Sequence, residues 1–304
     1  MNAGKILGAG FAGELREREP MARHTTLGIG GPAELMAYPE DVKDLALLMG
    51  WADAEGVPVF ILGNGSNILV LDGGIPGLTV NMDKMNWTEL ELGEKGGYQV
   101  HAGAGLKLAK LVSQCSEDGL SGMEFAAGIP GTVGGAVVMN AGTKEAEMKD
   151  VLVSVTLVDK KGKVSRMKTS ELGMGYRKTE IPEGSAVAEA AVAVVPWPSE
   201  EVKEKVAKTI RMRKAAQPSG VRSVGSTFKN PPGYSAWKLI DMVGLRGTSV
   251  GRAQVSSMHA NFLINTGGAT GREYRELMEK VVQTVQDRLN ITLEPEVKII
   301  GVDA

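Results

Sequence analysis

The sequence predicts a mixed fold of helices and strands that is divided into two or three domains. Its 304 residues are more than a single hydrophobic core usually holds. Segments with apolar residues at helical spacing alternate with short apolar runs bounded by glycine and proline, and such runs are typical of buried strands. A Pro-Trp-Pro run at 196–198 interrupts this pattern, so we place the main domain boundary there.

The composition narrows the classes of protein that fit. A net charge of −2 favours neither a nucleic-acid-binding nor a membrane-surface protein, and no apolar stretch is long enough to span a bilayer. The first twenty residues carry three glutamates and no continuous apolar core, so we expect no signal peptide and a cytoplasmic location. The single cysteine, Cys115, allows no internal disulfide and is expected to be a buried apolar side chain. Three histidines and one cysteine are too scattered for a structural zinc site, so we expect no metal.

The first elements follow from spacing and turn signals. Residues 1–20 are predicted to form a short helix, and residues 24–33 a strand and turn ending in Gly-Gly-Pro. Residues 41–56 place apolar side chains at helical spacing, which predicts an amphipathic helix with Asp41 as its N-cap.

A glycine-rich turn joins two short strands predicted at 57–62 and 68–70. The turn consists of Gly63, Asn64, Gly65, Ser66 and Asn67. Its backbone N–H groups and side-chain donors suit phosphate binding. Asn-Gly is also a strong hairpin signal, so a simple connection between two strands is the alternative.

A second pair of glycines follows a strand predicted at 98–102. Gly103-Ala104-Gly105 leads into a helix predicted at 106–117 and matches half of the dinucleotide-binding fingerprint. Leu108 occupies the position of the third glycine, so we interpret the segment as a strand-to-helix turn. No GxxxxGK[ST] sequence is present, which gives no indication of a P-loop.

The most informative stretch is the nearly uncharged segment 122–142, which contains six glycines. Glycine loses more backbone entropy than other residues in a helix or strand, so the segment does not favour either structure. Glycine does allow the backbone to approach a ligand closely, and successive N–H groups form an anion-binding concavity. The small apolar residues between the glycines would seat a flat cofactor. A tight packing turn between two elements is the alternative.

The later elements are predicted by the same rules. They are a hairpin of strands 151–158 and 163–167, a strand at 186–195, helices at 199–216 and 236–243, an apolar strand at 262–264, a helix from Thr270 to about 289, and a closing strand at 293–300. Thr270 and Glu273 form a capping box. The basic residues of helix 199–216, Arg211 and Arg213 among them, are predicted to form a solvated face.

Four motifs and a C-terminal tail together resemble the UDP-N-acetylenolpyruvoylglucosamine reductases, the MurB family of flavoenzymes. The motifs are TTLGIGGPAEL, ILGNGSNILV, GMEFAAGIPGTVGGAVVMNAG and GSTFKNP, and the tail is LEPEVKIIG. The resemblance extends from about His24 to Gly301. The short path from Tyr176-Arg177 to Pro196 resembles the shorter subtype of the family, which lacks an inserted substrate-capping loop.

The resemblance implies an α+β protein. Residues 1–198 would form an FAD-binding region of the vanillyl-alcohol-oxidase (PCMH) type, with subdomains at about 1–85 and 86–198. Residues 199–304 would form an α+β substrate-binding domain with a C-terminal catalytic strand. NADPH would reduce a non-covalently bound FAD, and the reduced flavin would convert UDP-N-acetylglucosamine enolpyruvate to UDP-N-acetylmuramate for peptidoglycan synthesis.

The resemblance also implies which residues act. Arg177 would stabilise negative charge on the substrate carboxylate, since a guanidinium is permanently charged and forked. Ser226 would donate the proton, whereas Ser223 lacks the Phe-Lys-Asn-Pro sequence that follows in the motif. Glu296 matches the catalytic glutamate better than Glu294 does. The residues expected to bind FAD are Gly63, Asn64, Gly65, Ser66, Asn67, Gly128, Ile129, Pro130, Gly131, Thr132, Gly134, Gly135, Asn140 and Ala141. Those expected to bind substrate are Tyr176, Lys229, Asn230 and Gln254.

Two other functions fit parts of the sequence. A flavin oxidase of the same fold acting on an alcohol or sugar would share the FAD-binding half, although GSTFKNP and LEPEVK argue against it. A non-catalytic flavin-binding or UDP-sugar-binding protein would retain the fold without turnover. His24 or His101 could anchor a flavin covalently, as in some oxidases of this fold, but the family resemblance implies that neither does.

Overall fold

A computed structural model of the chain describes residues 3–93 and 97–304. These residues divide into two compact units that are interleaved along the chain. The first unit comprises the described residues up to Glu17, together with Leu35–Asn64 and Gly77–Arg213. The second comprises Arg18–Glu34, Gly65–Pro76 and Lys214–Ala304.

The N-terminal half begins with a short helix and a four-stranded sheet. The elements are α1 (Ala3–Gly8), β1 (Glu14–Pro20), β2 (Pro32–Tyr38), α2 (Val42–Glu55), β3 (Val59–Leu62), β4 (Ile68–Val70) and β5 (Ile75–Asn81). The sheet has the order β1-β2-β5-β3, in which β3 and β5 run parallel. The short helix predicted within 1–20 is present but covers only Ala3–Gly8, because residues 14–20 pair with β2 and this pairing outweighs the local helical preference.

Helix α2 forms where the sequence predicts it. Asp41 accepts a hydrogen bond from the Asp44 N–H over 2.8 Å, and the helix ends at Gly56, whose φ of 66° is left-handed. The N-cap prediction is therefore confirmed.

A larger, antiparallel sheet forms the middle of the first unit. Its elements and their neighbours are β6 (Thr88–Leu92), β7 (Tyr98–Gly103), α3 (Leu108–Glu117), β8 (Leu120–Ser121), α4 (Val133–Val138), α5 (Met148–Val151), β9 (Leu152–Val158), β10 (Val164–Lys168), β11 (Gly173–Gly175), β12 (Lys178–Glu180) and β13 (Ala186–Pro196). The strand order is β10-β9-β13-β7-β6, and β8 pairs with β13. The predicted hairpin of β9 and β10 is confirmed. Strand β13 is almost entirely Ala and Val because it is buried in the centre of the sheet.

Segment 122–142 contains more helix than the glycine content suggested. Val133–Val138 is a short helix, and the Thr132 side chain caps it by accepting a hydrogen bond from the Gly135 N–H over 3.3 Å. Gly134 is needed there because a Cβ at this position would lie 2.8 Å from the Ala104 Cβ. A packing requirement thus outweighs the entropic cost of glycine in a helix.

Helix α6 (Ser199–Ala216) follows β13, and Val206 and Ile210 pack against the core of the first unit. Cys115 belongs to the same core, where burial raises the pKa of its thiol to about 12, as expected of a structural cysteine.

The second unit has its own hydrophobic core and a four-stranded sheet. Its elements are β14 (Arg222–Ser223), α7 (Ala236–Met242), β15 (Ser249–Val250), β16 (Ala253–Val255), β17 (Leu263–Asn265), α8 (Gly271–Leu289) and β18 (Lys298–Ile300). The sheet order is β14-β17-β16-β15, and β18 pairs in parallel with β4. The predicted capping box of Thr270 and Glu273 starts helix α8 and is confirmed. None of the helices in the described part of the chain combines the length and hydrophobicity needed to cross a bilayer.

Candidate functional site

The residues that the sequence singled out lie in both units, and each unit holds part of every predicted set. The first unit contains Gly63, Asn64, the loop 128–135, Asn140, Ala141, Tyr176 and Arg177. The second contains Gly65, Ser66, Asn67, Ser226, Lys229, Asn230, Gln254 and Glu296.

In the first unit, the turn after β3 lies against the glycine-rich loop. A Cβ at Gly63 would be 2.6 Å from the Thr132 Oγ1, so only glycine allows this approach. Thr132 is buried, and its hydroxyl is fixed by capping α4. The structure therefore brings together two segments that the sequence predicted separately as cofactor-binding.

The loop also presents backbone donors. Gly128 and Gly131 have φ values of 74° and 133°, which residues other than glycine rarely adopt. Their N–H groups donate no hydrogen bond to any residue in the described ranges 3–93 and 97–304. The N–H groups of Val133 and Gly134, by contrast, are used by the carbonyls of Leu106 and Ala104. The first part of the loop is thus the part that has donors for an anion.

Arg213 is a further candidate site residue, which the sequence analysis did not select. It was assigned to a solvated helix face, yet it is half-buried, and a Cβ at Gly128 would be 3.0 Å from its Cδ. Among the described residues its guanidinium makes no hydrogen bond and no ion pair. Burial, and then the charge of Arg177, lower the pKa of Arg213 below its ordinary value. The charges of Arg177 and Arg213 repel each other, and Glu145 offsets this repulsion in part, so an anionic ligand near Arg213 would be favoured.

Arg177 lies at the tip of the hairpin formed by β11 and β12. Its guanidinium carbon is 5.4 Å from the centre of the Tyr176 ring, and its Nη1 donates to the Gly142 carbonyl over 3.3 Å. Its φ of 56° is unusual for a residue other than glycine. Tyr176 is half-exposed, whereas Arg177 is partly buried.

Asn140, predicted as cofactor-binding, is fully buried at a φ of 40°. Its side chain hydrogen bonds to other residues of the protein, namely Glu147, Lys149 and Gly175. Ala141 beside it is half-buried. A contact of either residue with a cofactor stays a prediction.

In the second unit, the loop of Ser226 pairs with the segment of Glu296. The Glu296 N–H donates to the Thr227 carbonyl over 2.8 Å, and Phe228 forms a bridge with Pro295. Asn261 fixes the loop by donating to the Phe228 carbonyl over 2.8 Å and accepting from its N–H over 3.0 Å. The structure therefore brings two of the three predicted catalytic residues into adjacent, paired segments.

The Ser226 side chain differs from its neighbours in this loop. Thr227 and Phe228 are buried, whereas Ser226 is half-buried and its hydroxyl makes no hydrogen bond within the described residues. The hydroxyl of such a side chain is available to a ligand. Ser223, by comparison, lies in β14, and its carbonyl accepts from Thr26 over 2.7 Å.

Asn67 links the predicted cofactor turn to the segment of Glu296. Its amide donates to the Glu296 carbonyl over 3.2 Å. The strands that follow, β4 and β18, then pair in parallel with Lys298 opposite Ile68. This pairing places the C-terminal tail beside the turn of Asn67 in the second unit.

The three predicted substrate-binding residues of the second unit all have protein partners. Lys229 forms an ion pair with Glu294. Asn230 accepts a hydrogen bond from the Ala236 N–H over 2.9 Å, at the start of α7. Gln254 donates to the Gly247 carbonyl and the Ser249 hydroxyl over 3.3 and 3.1 Å. Their contact with substrate stays a prediction.

Two family models match the chain. Residues 33–168 match an FAD-binding domain, and residues 217–300 match the C-terminal domain of UDP-N-acetylenolpyruvoylglucosamine reductase. The first match includes both segments that meet at Gly63 and Thr132, and the second includes the paired segments of Ser226 and Glu296.

Named proteins match almost the whole chain. A UDP-N-acetylenolpyruvoylglucosamine reductase of Pelobacter propionicus is 42% identical over 296 residues, covering 97% of this chain and 99% of its own length. One of Desulfosudis oleivorans is 44% identical and covers 96% of each chain. The crystal structure of the Thermus caldophilus enzyme superposes with a TM-score of 0.79 at 38% identity, covering 95% of this chain and 99% of its own.

Fold and matches together define an FAD-dependent oxidoreductase with α+β architecture, which confirms the predicted fold class and the FAD cofactor. Within that class, the chain belongs to the UDP-N-acetylenolpyruvoylglucosamine reductase family, as its motifs indicated.

Proposed function

We propose that the chain uses NADPH to reduce UDP-N-acetylglucosamine enolpyruvate to UDP-N-acetylmuramate, a step of peptidoglycan precursor synthesis. The observation that carries this proposal is identity of 42–44% with reductases of that name over nearly the full chain. The paired segments of Ser226 and Glu296 support it, because they place a hydroxyl and a carboxylate in adjacent segments. We assign the reaction to the cytoplasm, where a protein with one unpaired cysteine is stable against oxidation.

The glycine-rich loop fits the FAD that the family model indicates. We assign the cradle to the turn 63–67 and the loop 128–135, since a side chain at Gly63 would close the approach to Thr132. The unused N–H groups of Gly128 and Gly131 suit a pyrophosphate. When bound, FAD supplies the hydride that no side chain can supply. We expect the cofactor to be held without a covalent bond, because the family resemblance implies that neither His24 nor His101 anchors it.

Arg177 binds the carboxylate of the enolpyruvyl group in this proposal. Hydride addition to the terminal vinyl carbon leaves negative charge on the adjacent carbon and its carboxylate. A preorganised guanidinium stabilises that charge, and one well-placed donor of this kind is worth roughly 3–4 kcal/mol. The stacked Tyr176 ring restricts the guanidinium and offers an apolar surface to the sugar nucleotide.

Ser226 gives its hydroxyl proton to the carbon next to the carboxylate. A serine hydroxyl is a weak acid in water, but a carbanion-like centre in a site that excludes water is a strong base. The proton is available because the hydroxyl has no acceptor among the described residues. Thr227 and Phe228, which are both buried, hold the serine in place.

Glu296 acts beside the serine. Two bonds fix its backbone, one from its own N–H to Thr227 and one to its carbonyl from Asn67. We propose that its carboxylate helps to relay charge during protonation. Residues 199–304 supply the substrate-binding domain in this proposal, with Lys229, Asn230 and Gln254 as contacts to the UDP-sugar.

The test is a two-step titration of the purified protein under anaerobic conditions. The protein should be yellow, should bleach with NADPH, and should recolour when UDP-N-acetylglucosamine enolpyruvate is added. Mass spectrometry should show a product with two additional hydrogen atoms.

The controls separate the alternatives. A flavin that is bleached by a simple sugar or alcohol without NADPH, and is then recoloured by oxygen, would instead indicate an oxidase. A bleached flavin that stays bleached after the enolpyruvyl substrate is added would contradict the proposed substrate.

A further inference from the structure

Asn140 is buried in an unusual backbone conformation, and its side chain makes three hydrogen bonds. It is fully buried, and its φ of 40° is left-handed, which asparagine tolerates better than most residues. Its Nδ2 donates to Glu147 Oε2 and to the Gly175 carbonyl, each over 3.0 Å, and its Oδ1 accepts from the Lys149 N–H over 2.9 Å. Only an amide provides two donors and an acceptor in this arrangement.

The bond to Gly175 reaches the hairpin that carries Arg177. Gly175 pairs with Lys178, so Tyr176 and Arg177 alone form the turn between β11 and β12. The φ of 56° at Arg177 suits the third position of a type II turn, where glycine is the usual residue. A ribbon with three residues in each strand is marginal by itself, so its position depends on other contacts.

Two further bonds join the same two segments. The Thr179 hydroxyl donates to the Val137 carbonyl over 2.5 Å, and Arg177 Nη1 donates to the Gly142 carbonyl over 3.3 Å. All three bonds connect residues 175–179 to residues 137–142, which end the glycine-rich segment 122–142. Asn140 differs from the other two partners because its contact is made by its side chain, which a substitution can alter.

We propose that Asn140 is a positioning residue that fixes the Arg177 guanidinium relative to the glycine-rich loop. This inference rests on the proposed function of Arg177 as the ligand of the enolpyruvyl carboxylate. Asn140 itself touches no substrate and acts through the Gly175 carbonyl. An aspartate at this position keeps the shape but turns both donors into acceptors, and its charge would face Glu147 and the Gly175 carbonyl.

The test is a double-mutant cycle with Asn140→Asp and Arg177→Ala in the FAD-loaded protein. Binding of UDP-N-acetylmuramate, which retains the carboxylate, is measured by calorimetry. Arg177→Ala should weaken binding by roughly 10- to 100-fold, the loss of one charge-assisted hydrogen-bonded pair. Asn140→Asp should weaken it by a similar factor when Arg177 is present and by less than about 3-fold when Arg177 is absent.

A matched control is Asn290→Ala. Asn290 is also a left-handed asparagine, at the C-cap of α8 in the other unit. Its replacement should lower the melting temperature without changing the affinity for UDP-N-acetylmuramate. Asn140→Ala should weaken binding as much as Asn140→Asp does. Because alanine adds no charge, this result would show that the loss of the hydrogen bond to Gly175 weakens binding, and not the charge of the aspartate.

The outcomes are distinguishable. If Asn140→Asp weakens binding equally in both backgrounds, Asn140 does not act through Arg177 and the inference is overturned. Loss of FAD from Asn140→Asp at unchanged affinity for the product would make Asn140 a cofactor-binding residue and would also overturn it. If Arg177→Ala binds the product normally, the proposed function of Arg177 is wrong whatever Asn140 does.

Discussion

The main-chain N–H of Glu296 donates a hydrogen bond to the carbonyl of Thr227 over 2.8 Å. These residues are 69 positions apart in the sequence. Thr227 directly follows Ser226, and both Ser226 and Glu296 are proposed to act in the reaction. Because the bond is between main chains, substitution of either side chain leaves it intact. The reactivity of Ser226 and Glu296 can therefore be tested by substitution without loss of the pairing that holds their segments.

The two adjacent glycines of α4 should respond oppositely to alanine. A Cβ at Gly134 would lie 2.8 Å from the Ala104 Cβ, so Gly134→Ala should lower the free energy of unfolding by about 1–3 kcal/mol. A Cβ at Gly135 meets nothing nearer than 3.5 Å, and alanine favours a helix, so Gly135→Ala should be neutral or more stable by up to about 1 kcal/mol. Urea unfolding of both variants measures the difference, and equal effects would show that the packing of Gly134 on Ala104 does not matter.

Arg213 should contribute to FAD binding, because it packs on Gly128 of the glycine-rich loop without an acidic partner within 4.0 Å among the described residues. Removing a charge-assisted hydrogen bond costs about 1.5–3 kcal/mol, so Arg213→Gln should raise the dissociation constant of FAD by 10-fold or more. Fluorescence titration of the apoprotein measures this constant. Arg211→Gln, an exposed arginine two residues earlier, is the control and should bind FAD as the parent protein does. Equal affinity of the two variants would remove Arg213 from the site.

His259 should make the second unit less stable in acid. Its Nδ1 is buried without a hydrogen-bond partner among the described residues. The centre of its ring lies 4.8 Å from the centre of the Phe262 ring. Burial, and then the charge of Arg246, lower the pKa of His259. The unfolded chain binds a proton at its ordinary pKa of about 6.5, so stability falls as the pH drops below that value.

The measurement is urea unfolding at pH 7.5 and pH 5.5 for the parent protein and for His259→Phe. The phenylalanine keeps an aromatic ring but cannot be protonated, so the variant should lose less stability in acid than the parent protein. His24 and His101 are present in both proteins, and their contribution cancels in the comparison. An identical loss in the two proteins would show that the folded protein does not lower the pKa of His259.

Much of the fold could be predicted because its signals are local. The N-cap of α2, the hairpin of β9 and β10 and the capping box of α8 each depend on residues close in sequence. Residues 14–20 became a strand instead of a helix because of pairing with β2, which no local pattern reveals. The same holds for the interleaving of the units, since segments 18–34 and 65–76 join the second unit through distant contacts.

The candidate site also contains some residues that the local sequence reveals and others that it does not. The glycine-rich loop and the Ser226 motif could be recognised because they are contiguous. Arg213 could not, because its burial depends on Gly128, 85 residues away, and its neighbours on the helix are exposed. Asn140 was selected from its position in the loop, but the three partners of its side chain become visible only in the structure.

The most direct test of the proposed mechanism uses the Ser226→Ala variant after its flavin has been reduced by NADPH. The reduced variant is mixed rapidly with UDP-N-acetylglucosamine enolpyruvate, and the rate of flavin reoxidation is measured. Reduction by NADPH should proceed as in the parent protein, because Ser226 acts only in the later reaction, in which the enolpyruvyl substrate is reduced and protonated. Reoxidation by the enolpyruvyl substrate should be slower by roughly 100- to 10,000-fold, the usual contribution of a positioned proton donor. Ser223→Ala, three residues earlier, should reoxidise normally. If Ser226→Ala reoxidises at the rate of the parent protein, Ser226 does not deliver the proton and the account is contradicted.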